Sequence, residues 1–253
     1  MNAAGPVQYV ELFHLLFLDQ LGRKLDKRHF ALKGGCNLRF FFKSVRYSED
    51  MDLDARTVPP DVLRERVGLI LGSKPFSQIL RANRLAVVHC TEPKQTDTTQ
   101  RWKLSLRADG LAALLPTKVE FSRRGMPNEP QFEPVDPELI RTYRLTPIIA
   151  SHYPIEVAYH QKVGALARRA LTQARDVFDL YWLINSGVKR ELPDDLQECR
   201  HQAQENAMAV SFATFKSQVL AYLAASHREQ YDSESVWETV QLTVAEALGS
   251  TGS

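Results

Sequence analysis

A glycine pair followed by an alternating acidic run constrains this chain more than any other feature. Gly34 and Gly35 let the backbone approach a bound group closely, because glycine has no Cβ atom. Downstream, every second residue from Asp50 to Asp54 is an aspartate. Since the side chains of a β-strand repeat every two residues, the pattern predicts a strand that carries Asp50, Asp52 and Asp54 on one face.

Neighbouring carboxylates on one strand face favour a cation between them. Two unit charges about 4 Å apart repel by roughly 4 kcal/mol at an effective dielectric near 20. Carboxylate oxygens are hard ligands that suit Mg²⁺, and a glycine turn suits the close approach of a phosphate. The sequence therefore predicts a site for a metal-bound triphosphate, although surface aspartates in a turn would give a similar local pattern.

A calcium-binding EF-hand loop is a second alternative, because it also begins with Asp-x-Asp-x-Asp. That loop needs glycine at its sixth position and glutamate at its twelfth. Ala55 and Asp61 stand at those positions, so this alternative is rejected. The seven histidines show no zinc-binding or catalytic-triad spacing around Ser48 or elsewhere.

Composition leaves the function classes broad. The 253 residues are 44% hydrophobic and 25% charged with a formal net charge of +2, which is ordinary for a globular protein and demands no nucleic-acid partner. Basic residues nevertheless crowd the middle third of the chain, as a basic groove or as a solvated face. They are Arg101, Lys103, Arg107, Lys118, Arg123 and Arg124.

The cysteines and the apolar segments predict a cytoplasmic location. Cys36, Cys90 and Cys199 are far apart and odd in number, which argues against a disulfide framework or a metal cluster. No apolar run reaches the roughly 20 residues that a membrane span needs.

Hydrophobic periodicity predicts an α+β fold, a mixed sheet flanked by helices and followed by a helical C-terminal part. We place the division at residues 1–145 and 146–253. Helices are predicted over 8–22 (ending at Gly22), 37–43, from 60 to 71, and over 155–171, 173–184, 194–209, 211–226 and 234–248. Strands are predicted over 47–53, 85–91, 101–107 and 118–122, and residues 30–32 lead into the glycine turn. A linker or wrapping loop is predicted over 125–139.

Two segments resemble motifs of one known family. Gly34-Gly35 with residues 46–53 (RYSEDMDL) resembles the first motif of the AbiEii/AbiGii nucleotidyltransferases. Lys162 with residues 175–180 (RDVFDL) resembles their later motifs. These proteins are the toxins of AbiE-type and MenT-type toxin–antitoxin systems, in the DNA polymerase β-like superfamily. Cys36 departs from relatives that often have a hydroxyl residue there, which would weaken one phosphate contact.

The resemblance implies a nucleotidyltransferase-like sheet and transfer of a nucleoside monophosphate from an NTP to an acceptor hydroxyl, with release of pyrophosphate. It implies two Mg²⁺ ions, an acceptor such as the 3′ end of tRNA, and a cognate antitoxin. A transferase that modifies a protein such as the antitoxin, a phosphotransferase, and a catalytically degenerate RNA-binding module are the alternatives.

The resemblance also assigns site residues. Asp50, Asp52 and Glu120 are predicted metal ligands, Glu120 because it lies on a neighbouring strand as a third carboxylate; an exposed edge residue is the alternative for it. Lys162 and Asp176, from the C-terminal part, join Asp50 and Asp52 as catalytic residues. The predicted nucleotide-binding residues are Lys33, Gly34, Gly35, Arg46, Ser48 and Lys162.

Asp179 has a purely structural alternative. It lies three residues after Asp176, on the same helix face, among apolar neighbours. It is therefore either a site residue or the buried partner of Arg175 or of another arginine.

Overall fold

A computed structural model of the chain describes residues 5–123 and 129–249. Within them the chain forms two compact units. The first unit comprises the residues up to 41 together with 47–153, and the second unit comprises residues 42–46 together with those from 154 onward. The last strand of the first unit, Ile149–His152, follows the boundary that the sequence predicts after residue 145. Two features were not visible in the sequence, namely this strand and the assignment of residues 42–46 to the second unit.

A seven-stranded mixed sheet forms the centre of the first unit, and the predicted α+β class is confirmed. The strand order is β3-β4-β5-β2-β1-β7-β6. β2 runs parallel to β5 and β1 parallel to β7, whereas the other pairs are antiparallel. The strands are β1 Phe30–Lys33, β2 Asp50–Ala55, β3 Leu85–Gln95, β4 Thr99–Ala108, β5 Leu115–Ser122, β6 Gln131–Pro134 and β7 Ile149–His152.

Helices of the first unit cover the apolar face of this sheet. They are α1 Pro6–Lys24, α2 Gly34–Phe41, α3 Pro60–Leu71, α4 Lys74–Ala82 and α5 Pro137–Thr142. α1 is buried without a break from Tyr9 to Leu18, and it contacts α3, α4, β5 and β7. The helix predicted over 8–22 is confirmed, but Gly22 lies inside it rather than at its end.

Strict alternation on β4 and β5 separates an apolar face from a polar one. Trp102, Leu104 and Leu106 are buried, whereas Lys103 and Arg107 on the same strand are exposed. Val119 and Phe121 on β5 are buried as well. The polar side chains of β2, β4 and β5 therefore share the face that the helices leave uncovered.

The linker predicted over 125–139 is wrong for its second half. Residues 131–134 form β6, which pairs with β7, and α5 begins at Pro137 with Asp136 capping its first turn. Prolines are tolerated in both places, because an edge strand and a first helical turn have N–H groups without ladder partners. Residues 124–128 of that prediction lie outside the described residues.

The second unit is helical. Its helices are α6 Ile155–Arg168, α7 Ala174–Asn185, α8 Asp194–Gln197, α9 Arg200–Met208, α10 Phe212–Gln218, α11 Ala225–Tyr231 and α12 Glu234–Gly249. α7 contacts α6, α10 and α12, and Phe215 stacks on Trp237 with ring centroids 4.4 Å apart. No helix in the described part of the chain is long and apolar enough to cross a membrane.

Two helices predicted in the second unit are each divided. Residues 194–209 form α8 and α9, and residues 211–226 form α10, a 3₁₀ turn at Leu220–Tyr222 and the start of α11. The second break has a physical reason: Leu223 adopts an extended conformation and forms a β-bridge with Arg46. This pairing involves a segment far away in sequence, which local periodicity does not reveal.

Candidate active site

Strand register brings three predicted carboxylates together on the polar face of the sheet. β2 and β5 pair in parallel, so that Asp52 lies opposite Glu120 and Asp50 opposite Lys118. Because paired residues in a sheet point to the same side, Asp50, Asp52 and Glu120 face one another. We call these three residues the acidic cluster.

The ammonium group of Lys118 lies at the centre of the acidic cluster. Its Nζ is 3.3 Å from Asp50 Oδ2, 3.6 Å from Asp52 Oδ1 and 3.7 Å from Glu120 Oε2. Sequence reasoning counted Lys118 only among the basic residues of the middle third. The signal that could have found it is its position two residues before Glu120, which places both side chains on the same face of one strand.

Electrostatics favour a positive charge at this point. Burial raises the pKa of the Asp50 carboxyl, and the neighbouring charge of Asp52 raises it further. Lys118 acts in the opposite direction, but the net shift is upward. Burial also opposes the charge of Lys118, but the carboxylates of Asp52, Asp50 and Glu120 outweigh it and raise the pKa of the ammonium above its usual value. Lys118 is therefore charged at neutral pH.

The glycine turn lies directly beside the acidic cluster. Gly34 has a φ of +65°, a conformation that favours glycine. A Cβ atom built on Gly34 would lie 3.5 Å from Asp52 Oδ2. Gly34 and Gly35 form the first turn of α2 rather than a turn preceding a helix at residue 37, so the positive end of the helix dipole faces Asp52 and any anion bound there.

Asp54 shares the strand with the acidic cluster but has other partners. It accepts hydrogen bonds from Lys33 Nζ and, at 2.8 Å, from Tyr153 Oη. Its side chain is buried. Lys33, a predicted nucleotide-binding residue, is thus paired with Asp54 in this structure.

Hydrogen bonds to main-chain oxygens fix the start of β2. The Asp50 carbonyl accepts from Ser48 Oγ at 2.8 Å and from Cys36 Sγ at 3.3 Å. Ser48, predicted to bind nucleotide, therefore holds the backbone of a cluster residue. The resemblance led us to expect a hydroxyl residue at position 36. The Cys36 thiol donates to the Asp50 carbonyl, as the Ser48 hydroxyl does.

A buried histidine supports this backbone from the apolar side. Thr117 Oγ1 donates to the Glu49 carbonyl at 2.6 Å and lies 2.8 Å from His14 Nε2. His14 Nδ1 lies 3.6 Å from Cys36 Sγ. His14 on α1 thus contacts two of the side chains that hold residues 49 and 50, those of Thr117 and Cys36. Sequence reasoning missed His14, because its contacts are 22 and 103 residues away.

Burial of His14 predicts a pH-dependent stability. Burial lowers the pKa of His14 from 6.5 to about 3. Below pH 6.5 the unfolded chain binds a proton that the folded protein excludes, so the free energy of unfolding falls by up to ~1.4 kcal/mol per pH unit from this group. In His14→Gln, urea unfolding at pH 4 to 6 should show a shallower pH slope than in wild type. His201→Gln, at an exposed site, should keep the wild-type slope; equal slopes for all three proteins would contradict the assignment.

A second charged cluster is buried inside the second unit. Arg46 donates two hydrogen bonds to Asp179, at 2.9 and 2.8 Å. Lys162 Nζ lies 2.7 Å from Asp179 and 2.9 Å from Asp176, and Arg169 Nε lies 3.1 Å from Asp176. We call Arg46, Lys162, Asp176 and Asp179 the buried ionic cluster.

The buried ionic cluster gives several predicted site residues a structural role. For Asp179 the structural alternative holds, because its carboxylate is the buried partner of an arginine. That arginine is Arg46 and not Arg175. Burial opposes its charge, yet Arg46 and Lys162 lower the pKa of Asp179 to about 2. Burial likewise opposes the charge of Lys162, and Asp176 and Asp179 outweigh it and raise the pKa of the ammonium. Lys162 and Asp179 are therefore both charged at neutral pH.

The acidic cluster has the donor set that a hard divalent cation prefers. Its three carboxylates already surround one cation, the Lys118 ammonium, and Mg²⁺ binds oxygen ligands at 2.0–2.1 Å. Within the described residues, no three His, Cys, Asp or Glu side chains are close enough together to hold a metal ion as they stand. The residues fit Mg²⁺ in kind, and the carboxylates would have to close in on it.

Comparison with protein families shows that the chain is a nucleotidyltransferase. The family profile described as "Nucleotidyl transferase AbiEii toxin, Type IV TA system" matches residues 16–241. The chain belongs to this family of nucleotidyltransferase toxins of type IV toxin–antitoxin systems. The resemblance seen in the sequence is confirmed.

Solved structures share the fold at low sequence identity. JHP933 from Helicobacter pylori is 18% identical with a TM-score of 0.63, over 97% of this chain and 91% of that one. The nucleotidyltransferase toxin MenT4 from Mycobacterium tuberculosis is 17% identical with a TM-score of 0.62, over 96% and 92%. Comparison with curated proteins found no significant match.

Proposed function

We propose that this protein transfers a nucleoside monophosphate from an NTP to an acceptor hydroxyl, that of the 3′ end of tRNA, in a Mg²⁺-dependent reaction in the cytoplasm. The observation that carries the proposal is the convergence of Asp50, Asp52 and Glu120 beside the Gly34 turn. A cognate antitoxin counteracts the toxin in a system of this type.

The reaction forms a bond from the acceptor oxygen to the α-phosphorus and breaks the bond to the bridging oxygen, so that pyrophosphate leaves. Asp50 and Asp52 are the metal ligands, and Glu120 completes the set or takes the proton of the hydroxyl. Bound Mg²⁺ supplies charge neutralisation at the triphosphate and at the attacking oxygen. The N–H groups of Gly34 and Gly35 donate to phosphate oxygens at the start of α2.

A cleft beside the acidic cluster supports the binding of a further group. It has a volume of about 460 Å³ and is lined by residues including Asp50, His89, Thr91, Lys103 and Lys118. These side chains come from β2, β3, β4 and β5, on the polar face. The cleft therefore offers positive charge and hydrogen-bonding groups next to the proposed metal ligands.

The proposal also includes a part for the second unit in binding the nucleotide. The resemblance assigns phosphate binding to Lys162 and a catalytic role to Asp176, and Arg46 and Lys33 were expected to neutralise the triphosphate. In this structure Lys162, Asp176 and Arg46 form the buried ionic cluster, and Lys33 pairs with Asp54. Any contact with phosphate would be made in addition to these ion pairs or in place of them.

The direct test incubates the purified protein with each α-³²P-labelled NTP in turn, Mg²⁺ and total tRNA. We expect label to enter RNA with one or two of the nucleotides and to depend on the metal. Label in protein instead of RNA would replace the tRNA acceptor by a protein acceptor. Binding of tRNA without incorporation of any nucleotide would leave the RNA-binding alternative.

The exposed basic residues of β4 are proposed to bind the phosphate backbone of tRNA. Arg101 is less suited to this role than expected, because it is ion-paired with Glu120 of the acidic cluster. Lys103 and Arg107 are exposed on the same strand. Since each phosphate contact contributes to the salt dependence of binding, Lys103→Glu with Arg107→Glu should weaken tRNA binding several-fold and flatten its dependence on salt.

Filter binding over a range of salt concentrations measures both quantities. Lys189→Glu combined with Lys216→Glu, at two exposed lysines of the second unit, controls for the same change in net charge. Identical affinities and slopes for the β4 variant and wild type would remove this face from the acceptor site.

A further inference from the structure

The position of Lys118 has a consequence for metal binding, which rests on the proposed function. Three carboxylates from two neighbouring strands face one another, and Lys118, a side chain of the same sheet, contacts all three of them, while Arg101 on β4 pairs with Glu120 alone. The Lys118 side chain is 23% exposed, and those of Glu120, Asp50 and Asp52 are 20, 31 and 36% exposed. The cluster is therefore open to solvent on one side, where a metal ion could enter.

The ammonium and a metal ion cannot share this point. Nζ lies 3.3–3.7 Å from the three carboxylates, whereas Mg²⁺ needs oxygens at 2.0–2.1 Å in near-octahedral geometry. A divalent cation among the same oxygens would bring two positive charges into contact with Lys118. Metal binding thus requires the ammonium to leave, and its flexible four-carbon stem allows this.

We propose that Lys118 is an internal counter-cation that occupies the acidic cluster when no metal is bound, competes with the metal, and moves to the triphosphate when metal and NTP arrive together. In this exchange every charge has a partner, both in the state without metal and in the state with metal and NTP bound. Without a nucleotide, the displaced ammonium loses three carboxylates and gains only water. With a nucleotide, it gains phosphate oxygens. Lys118 therefore makes tight metal loading depend on the presence of NTP.

This role differs from that of a lysine that only stabilises the strand. A structural lysine, once removed, would leave metal affinity unchanged or lower it through damage to the cluster. An internal counter-cation, once removed, leaves Asp50 and Asp52 without an ion-pair partner among the described residues and Glu120 with Arg101 alone, and a metal ion then binds more tightly. The sign of the change in metal affinity separates the two roles.

The test uses the full chain and Mn²⁺, whose free ion is counted by electron paramagnetic resonance, in the absence of nucleotide. Lys118→Met keeps the length of the side chain and removes its charge. We expect it to bind Mn²⁺ at least tenfold more tightly than wild type, and Lys118→Arg to bind as weakly as wild type. Lys74→Met is the control, because Lys74 is an exposed lysine at the start of α4 that belongs neither to the acidic cluster nor to the lining of its cleft. It should change Mn²⁺ affinity much less.

Thermal unfolding provides a second measurement. In EDTA, Lys118→Met should melt below wild type because the carboxylates repel, and Mn²⁺ should raise its melting temperature more than that of wild type. If Lys118→Met does not fold without metal, it should fold when purified in Mn²⁺, and Lys118→Gln provides a milder variant for the titration. Mn²⁺ affinity in Lys118→Met and Lys118→Gln that is equal to or weaker than in wild type overturns the proposal.

Nucleotide transfer separates this inference from the proposed function. If wild type transfers nucleotide with Mn²⁺ and loss of the lysine does not tighten metal binding, the counter-cation role is wrong and the enzymatic proposal stands. If loss of the lysine tightens metal binding but wild type transfers no nucleotide, the cation exchange stands and the enzymatic proposal is wrong. Absence of Mn²⁺ binding in every variant contradicts both.

Discussion

Replacing Asp50 or Asp52 by asparagine is expected to reduce nucleotide transfer by about 10²-fold or more while the protein remains folded. Each change removes a charged oxygen ligand from the acidic cluster but keeps the size of the side chain. It also relieves repulsion between neighbouring carboxylates, so folding should not suffer. Incorporation of labelled NTP measures the rate, and circular dichroism with thermal unfolding measures the fold.

The control for this prediction is Asp61→Asn, which neutralises an exposed aspartate at the start of α3. It should transfer nucleotide at the wild-type rate. A folded Asp50→Asn or Asp52→Asn protein with wild-type transfer would show that the acidic cluster is not the catalytic metal site. Glu120→Gln should reduce nucleotide transfer by an intermediate amount, because it removes one carboxylate charge and, at the same time, an ion-pair partner of Arg101 and of Lys118.

Replacing Asp179 by alanine is expected to destabilise the protein by about 3–5 kcal/mol, the largest effect on stability that we predict. The carboxylate is fully buried and holds both Arg46 and Lys162. Its removal leaves the Arg46 guanidinium without its bidentate partner in a buried environment, and the Lys162 ammonium with Asp176 alone. Chemical denaturation measures the loss, and a low yield of folded protein would agree with it.

Two further variants test the reason for this loss. Asp195→Ala breaks an exposed ion pair with Arg168 in the same unit and should cost less than about 1 kcal/mol. Arg46→Met combined with Asp179→Leu replaces both charges by apolar groups and should recover a large part of the stability. A loss in Asp179→Ala no larger than in Asp195→Ala would contradict the assignment of a buried ionic cluster.

The pH dependence of the Asp179 contribution has a definite sign. Its pKa is lowered in the folded protein from 3.8 to about 2, so its stabilising effect is fully present above about pH 4 and is lost as the pH falls towards 2. The difference in unfolding free energy between wild type and Asp179→Asn should therefore narrow over this range. This range lies below that of His14, so the two contributions can be separated.

Local patterns were sufficient for much of the fold and for the acidic residues of the candidate site. The strands predicted over 101–107 and 118–122 lie within β4 and β5, because the alternation that marks a strand is set by neighbours two residues apart. Apolar spacing predicted α1, α6, α7 and α12 within a few residues of their observed bounds. The segment over 131–142 was missed, because prolines that signal a loop also suit an edge strand and a first helical turn.

By itself, the sequence determined which residues are candidates for the chemistry: a glycine pair, and carboxylates spaced to share a strand face. Only the tertiary structure decided which cation each carboxylate faces. Lys118 lies among Asp50, Asp52 and Glu120 because β2 pairs in parallel with β5, more than 60 residues later, and Arg46 meets Asp179 across 133 residues. The physical reason is that side-chain periodicity is a local property of the backbone, whereas the pairing of charges depends on register and packing between distant segments, which no local pattern encodes.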